Sequence, residues 1–508
     1  MSDERRDRGR SRDDGGAGRK GSDGRRADGG SVQRPADRSR HTDATRLAAY
    51  TVMRAVSDGA YANLELPKQL REKGIRGRDA AFATELVYGA TRMRGLYDPV
   101  IALASGRGVE AIDANVLDTL RLGVHQLLGM RVPVHAAVDE TVALARQVNG
   151  IGASGFVNAV MRRVSERDRD AWLTHVVPEG LEPTAARAIR TSHPEWIVRA
   201  LRAALLGHGA ATADTVDAEL DALLAADNAP ARVTLVARPG LSSIDELLEA
   251  GGERGRLART AVVLDEGDPG AIRAVREGRA AVQDEGSQLV ALAVAAAEVE
   301  REDGSGSEEW LDLCAGPGGK AGLLAGLALL RGAGLVANEV SDHRAELVRH
   351  TLAPAIADGG DGQITVRVGD GREIGADEPD SYDRVLIDAP CTGLGALRRR
   401  PEARWRRQPA DVVALASLQR ELLASGIDAT RPGGVIAYAT CSPHLNETRF
   451  VVLDVVKERD DVEVVDARSL FARPDGSPVS DLGDGPFVQL WPHRHGTDAM
   501  FFALLRKR

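Results

Sequence analysis

Residues 310–321 read Trp-Leu-Asp-Leu-Cys-Ala-Gly-Pro-Gly-Gly-Lys-Ala. The short, largely apolar run at 310–314 suits a buried strand, and the glycine-rich turn behind it opens an apolar helix at Ala321. Glycine at such a turn lets the backbone approach a ligand closely, although the spacing is not the G-x-G-x-x-G of dinucleotide enzymes. Outward from this turn, strand–loop–helix units recur at 309–330, 334–352, 363–370, 382–391 and 433–441, after a leading helix from Glu285. That order predicts an α/β, Rossmann-like, doubly wound parallel sheet over 281–508, with function at the C-terminal ends of its strands.

Acidic residues close the next strands in turn. The strand at 334–338 ends in Glu339, 363–368 in Gly369-Asp370-Gly371, and 384–387 in Asp388. Glu339 stands 20 residues beyond Gly319, where a carboxylate accepts hydrogen bonds from both hydroxyls of a ribose. A mouth lined by Glu339, Asp370 and Asp388 serves a phosphate-bearing cofactor poorly. A positively charged sulfonium with a free amino group, S-adenosyl-methionine, suits it better.

Three cysteines occur, Cys314, Cys391 and Cys441. So sparse and odd a set is a poor disulfide framework and suits a reducing cytosol. Cys314, inside the first turn, reads as a small buried residue, the commonest role of free cysteine. Cys391 lies in Asp388-Ala389-Pro390-Cys391-Thr392-Gly393, and Cys441 in Ala439-Thr440-Cys441-Ser442-Pro443; in a doubly wound sheet both segments face one crevice. Carbon 5 of cytosine is a weak nucleophile until a thiolate adds to carbon 6, and a cysteine thiolate can both add and leave. Asp388 can hold the base through N3 and N4. After transfer a base must take the proton from carbon 5, the role assigned to Cys391, leaving Cys441 as nucleophile. A stacked cytosine cannot present carbon 6, so the target must be unpaired or extruded. The segment 398–407 carries six arginines and one tryptophan, and its place beside Cys391 predicts contact with an RNA backbone.

At 508 residues the chain exceeds a single core, and its net charge of −9 leaves nucleic-acid binding to a local basic surface. Residues 1–42, with 12 Lys and Arg against 8 Asp and Glu and almost no apolar side chain, read as a disordered tail. Over 43–169 the apolar residues repeat at helical spacing, as in Ala49, Val52, Met53 and Val56 and again in Leu117, Leu120, Val124 and Leu127, which predicts an all-α bundle. Residues 170–280 mix periods, with helices at 196–205 and 243–250 and an alternating strand at 232–236, and read as a small α+β module. No apolar stretch is long enough for a bilayer, and no metal site is expected.

Cys314-Ala315-Gly316-Pro317-Gly318-Gly319-Lys320, Asp388-Ala389-Pro390-Cys391 and Thr440-Cys441-Ser442 together resemble the RNA cytosine-5 methyltransferase family. Arg78-Asp79-Ala80-Ala81-Phe82 and the stretch 155–163 look like the NusB-type RNA-binding fold. The pairing resembles the B type of bacterial 16S ribosomal RNA methyltransferases, from about residue 43 to the C-terminus. The resemblance implies a class I S-adenosyl-methionine methyltransferase domain acting on ribosomal RNA; the charged N-terminus and the sparse cysteines predict a cytoplasmic protein, and a monomer is expected. It places the nucleophile on Cys441 and product release on Cys391, whereas DNA cytosine-5 enzymes attack with the Pro-Cys cysteine. Cofactor contacts fall on Cys314, Ala315, Gly316, Pro317, Gly318, Gly319, Lys320, Glu339, Asp370 and Asp388. His495 to Phe502 looks like the family's closing strand motif. Glu339 stands where aspartate is usual, Ala321 where threonine is common, and Leu235-Val236-Ala237-Arg238 replaces an Arg-Val-Asn-like stretch. Two other readings share these features: a transfer-RNA cytosine-5 methyltransferase, and a non-catalytic RNA-binding factor built on an inactive methyltransferase fold.

Overall fold

The computed structural model describes residues 42–301, 306–359 and 362–508; the tail expected over 1–42 lies outside them but for Thr42. Seven α-helices occupy Ala44–Ser57, Ala62–Glu72, Gly77–Arg92, Arg94–Ser105, Ala114–Leu128, Val134–Val148 and Ile151–Val164. Asp43 and Asp113 cap two of them by accepting hydrogen bonds from the first-turn amides. The periodic stripes are the core: Ala49, Val52, Met53 and Val56 pack with Leu86 and Leu122, while Leu117, Leu120 and Val124 pack with Val157 and Val160. Each such Leu or Val, fully buried, stabilises the fold by about 2 kcal/mol.

Four further helices, Arg169–Val176, Pro183–Thr191, Glu195–Gly207 and Val216–Asn228, lie between the bundle and the sheets. Trp172, Val176 and Ala186 share a cluster with Leu96 and Tyr97 of the bundle, whereas Ile197, Leu201, Leu220 and Leu223 share one with Leu394, Leu397 and Trp491. An antiparallel sheet follows, in the order β2-β3-β1-β4, from β1 (Thr234–Ala237), β2 (Glu253–Arg254), β3 (Ala261–Val263) and β4 (Ala280–Val282). The strand expected to alternate is instead buried along all of β1. Leu235 and Ala237 pack on Leu247 and Ala274, and Val236 packs into the core holding Ala321 and Leu324, so both faces of β1 are covered.

The second sheet comprises β5 (Glu309–Asp312), β6 (Gly334–Glu339), β7 (Ile364–Val368), β8 (Tyr382–Asp388), β9 (Thr430–Thr440), β10 (Val462–Val465), β11 (Val488–Gln489) and β12 (Phe501–Lys507). Its order is β10-β12-β9-β8-β5-β6-β7, with β11 paired to β12. From β7 to β9 the strands are parallel, as the repeating units require, but β12 runs antiparallel to both β9 and β10. The sheet is therefore mixed rather than all parallel, because the C-terminal strand β12 inserts antiparallel between β9 and β10. The crossover lies between β5 and β8, where the crevice opens.

Candidate active site

The glycine turn is seated by its neighbours. Leu313 donates its amide to Leu386 at 2.8 Å and Ala315 donates to Asn338 at 2.8 Å, tying the end of β5 to β8 and β6. Gly318 has φ +105°, and a Cβ on it would come within 2.9 Å of the Thr351 side chain. At Gly316 a Cβ would come within 2.2 Å of Glu339 Oε2, so only glycine lets the turn lie against that carboxylate. Glu339 is nearly buried, and its Oε1 accepts from the Ser341 amide at 2.9 Å and pairs with Arg344 at 2.6 Å. Asp370, two residues beyond β7, is bound by the Arg372 guanidinium at 2.6 Å, which together with the Arg372 amide holds its carboxyl below the usual range.

Lys320 and Asp388 meet across the mouth. Lys320 Nζ donates to Asp388 Oδ2 at 2.7 Å, with the lysine side chain nearly buried and the carboxylate partly open. Asp388 lies opposite Ala439 in the β8–β9 register, so Cys391 and Cys441 emerge from adjacent strand ends. Their sulfur atoms are 3.4 Å apart. The two thiols are not equivalent. The hydrogen bond with Cys391 lowers the Cys441 pKa against burial and the Asp388 charge, with the charges of Arg400 and Lys320 helping to lower it. Cys391 is pushed well up by that same hydrogen bond and by burial, and the charges of Glu447 and Asp388 add to this. These directions favour a thiolate at Cys441 over one at Cys391. Cys314 packs beside the cluster of Leu311, Ile387 and Tyr438, and burial raises its pKa.

One acidic residue was hidden in the quoted strand. Asp312 ends β5 fully buried, and neither carboxylate oxygen has a hydrogen-bond partner. Burial, with the nearby Asp388 charge, pushes it up to about 8; the Cys314 amide tempers the shift without closing a hydrogen bond. An orphaned carboxyl beneath a glycine turn suits a cationic group. The signal in the sequence was a charged residue inside an apolar strand. Because its folded-state pKa lies above the ordinary value, Asp312 favours the fold most at low pH, and that contribution is lost as pH rises toward about 8. The stability difference between Asp312→Asn and the ligand-free parent is expected to move in the variant's favour by a few kcal/mol from about pH 5 to about pH 8.5. Denaturant melts at the two pH values check this; a pH-independent difference contradicts it.

The arginine segment does not form the expected RNA face. Arg399 is bound in a fork to Asp498, and Arg398 lies 3.6 Å from Asp284 and donates to the Gly496 carbonyl at 3.0 Å. Arg404 is completely buried and donates to the carbonyl of Ser192 at 3.0 Å, that of Asp227 at 3.2 Å and the Asn228 side chain at 2.9 Å. Trp405 Nε1 donates to the Thr91 carbonyl at 2.7 Å, Arg406 to the Val56 carbonyl at 2.8 Å, and Arg407 to the Thr392 carbonyl at 3.2 Å. Of the six arginines only Arg400 is exposed, its guanidinium 5.7 Å from the Tyr61 ring centroid. The run is a clamp between the helical bundle and the Cys391 loop. Buried carbonyls, carboxylates and one amide oxygen, not phosphates, satisfy most of its donors.

Among the described residues no group of three or more His, Cys, Asp or Glu is arranged to hold a metal ion, and no helix is long and apolar enough to cross a membrane. Glu339, Asp370 and Asp388 ring the glycine turn, each beside a basic side chain, and Asp312 lies orphaned beneath it. Carboxylates so placed suit a cationic sulfonium rather than a phosphate, and on this sheet that defines the class: an S-adenosyl-methionine-dependent methyltransferase. Comparison with known proteins supplies the family. Residues 302–506 match the profile described as 16S rRNA methyltransferase RsmB/F, and residues 43–166 match the NusB family. A Mycobacterium tuberculosis protein named as a methyltransferase is 51% identical over 473 residues, 92% of this chain and 98% of its own length. A ribosomal RNA small subunit methyltransferase B of Pseudomonas putida is 33% identical over 481 residues, 91% of this chain and 98% of its own. The crystal structure of PH0851 shares the fold, with TM-score 0.73 and 22% identity over 91% of this chain and 98% of that one. The chain belongs to the RsmB/F family of 16S rRNA methyltransferases, and S-adenosyl-methionine is its cofactor.

Proposed function

We propose that the enzyme methylates carbon 5 of a cytosine in 16S ribosomal RNA, with Cys441 as the covalent nucleophile and Cys391 assisting release. The observation that carries this reading is the pair of sulfur atoms 3.4 Å apart beside the Lys320–Asp388 ion pair. When bound, S-adenosyl-methionine supplies an electrophilic methyl group. The 314–320 turn, Glu339, Asp370, Asp388 and Asp312 would hold it.

The chain's own groups do the rest. The Cys441 thiolate adds to carbon 6 of the base, and the ring's π electrons move to carbon 5, which becomes nucleophilic. Asp388 accepts from N4 and from a protonated N3, favouring the ring that receives the thiolate, while Lys320 holds that carboxylate in place at 2.7 Å. Once carbon 5 carries the methyl, its proton leaves by way of Cys391, which gives up its own S–H proton to solvent as it takes the one from carbon 5. The carbon–sulfur bond then breaks, returning its electron pair to Cys441 and restoring the aromatic ring. The cytosine must be unpaired or extruded to reach both sulfurs.

Nucleotide-resolution mapping of 5-methylcytosine in a strain lacking the gene tests the reading. Loss of a methyl at one 16S position, restored by the parent gene, is expected. Loss from transfer RNA with 16S unchanged overturns the choice of substrate, and no loss from any RNA favours the non-catalytic factor.

A further inference from the structure

Glu447 sits in the short turn Leu445–Glu447 behind β9, completely buried. Among the described residues it makes no ion pair. Its carboxylate instead accepts from the Thr392 amide at 2.7 Å, from the Thr392 hydroxyl, and from the Ser442 hydroxyl at 2.6 Å. The Tyr438 hydroxyl fixes the turn by donating to the Glu447 carbonyl at 2.8 Å. Thr392 directly follows Cys391, and Ser442 directly follows Cys441. One side chain therefore grips the residue next to each sulfur. Burying an unpaired carboxylate costs several kcal/mol unless strong hydrogen bonds satisfy it, so a neutral structural brace would serve stability at least as well.

We propose that Glu447 is a positioning residue for methyl transfer, locking the loops after β8 and β9 so that Cys391 and Cys441 stay at contact distance. The role has two parts. The hydrogen bonds set the spacing, and the carboxylate's negative charge disfavours a thiolate at Cys391 until Cys441 has added to the base. The proposal rests on the two-thiol reading given above.

The test compares parent, Cys391→Ala, Cys441→Ala, Glu447→Gln and Glu447→Asp as full-length proteins. It measures cofactor affinity, single-turnover transfer to RNA, and the ratio of iodoacetamide labelling at the two cysteines across pH. Folded Glu447→Gln is expected to bind S-adenosyl-methionine within about twofold of the parent while transferring at least about tenfold more slowly, since small misplacements of reacting groups carry such losses. Labelling should shift toward Cys391 in Glu447→Gln, which lacks the charge, but not in Glu447→Asp, which keeps it. A loosened loop alone would expose both thiols alike. An unchanged rate and labelling ratio in folded Glu447→Gln overturn the proposal. If that variant does not fold, Ser442→Ala, which removes one of the three donors, must slow transfer, and a parental rate there overturns it instead. If Cys391→Ala accumulates no covalent RNA adduct, the two-thiol reading fails whatever Glu447 does; if it accumulates one and Glu447→Gln matches the parent throughout, only the positioning role fails.

Discussion

Cys441→Ala is expected to lose methyl transfer by at least about a thousandfold, the scale seen when a covalent nucleophile is removed. The same variant should form no covalent RNA adduct. On the proposed roles Cys391→Ala keeps the nucleophile and loses the group that helps elimination, so it is expected to add to cytosine, accept the methyl and stall, accumulating protein bound to RNA. Denaturing electrophoresis with labelled RNA reads both outcomes at once. The assignment follows the difference between the two: Asp388 opposes a thiolate at both sulfurs, but Cys441 alone has Arg400 and Lys320 favouring one, and Cys391 alone has Glu447 opposing one. Opposite charges favour a thiolate and like charges oppose it. A trapped adduct with Cys441→Ala, and none with Cys391→Ala, would exchange the two roles.

The second large effect is structural. Arg404→Ala should destabilise the protein by about 3–5 kcal/mol, the loss typical of removing one partner from a buried charged cluster. Three acceptors lose their donor, and Asp227, completely buried beside Arg404 and already pushed up to about 7, loses its nearest compensating charge. Arg404→Met fills much of the space without a charge and should cost less at low pH, where Asp227 is neutral, than above about pH 7. Its deficit should therefore grow as pH rises, because removing Arg404 raises Asp227 further. Denaturant midpoints at two pH values measure this. Limited proteolysis should also cut between the helical bundle and the rest of Arg404→Ala first, since Arg404, Trp405 and Arg406 are anchored on carbonyls of the bundle and its neighbouring helices. A variant with parental stability and digestion would show that the clamp carries no load.

The misreading of residues 398–407 shows where pattern stops. A run of arginines states how many donors a segment offers, not who receives them. Thr91, Ser192, Asp227 and Asp498, which receive them, lie far away in the chain and were unremarkable there. Glu447 was silent for the same reason. A glutamate five residues past Ser442 reads as surface, and only folding brings Thr392 to it.

What the sequence determined by itself was everything written in local period and order. The helical stripes of the bundle, the glycine turn at 316–319 and the parallel strands from β5 to β9 follow from spacing along the chain. The sequence also put Cys391 and Cys441 at the C-terminal ends of two parallel strands, whereas their contact needed the strand order, since β7 and β8 are consecutive too and are not neighbours. Only the tertiary structure decided the antiparallel return of β12, the orphaned carboxyl of Asp312, and the partners of Arg404 and Glu447. Each depends on which buried donor meets which buried acceptor across a long stretch of chain, and that choice is made by packing and desolvation, neither of which leaves a repeat to read.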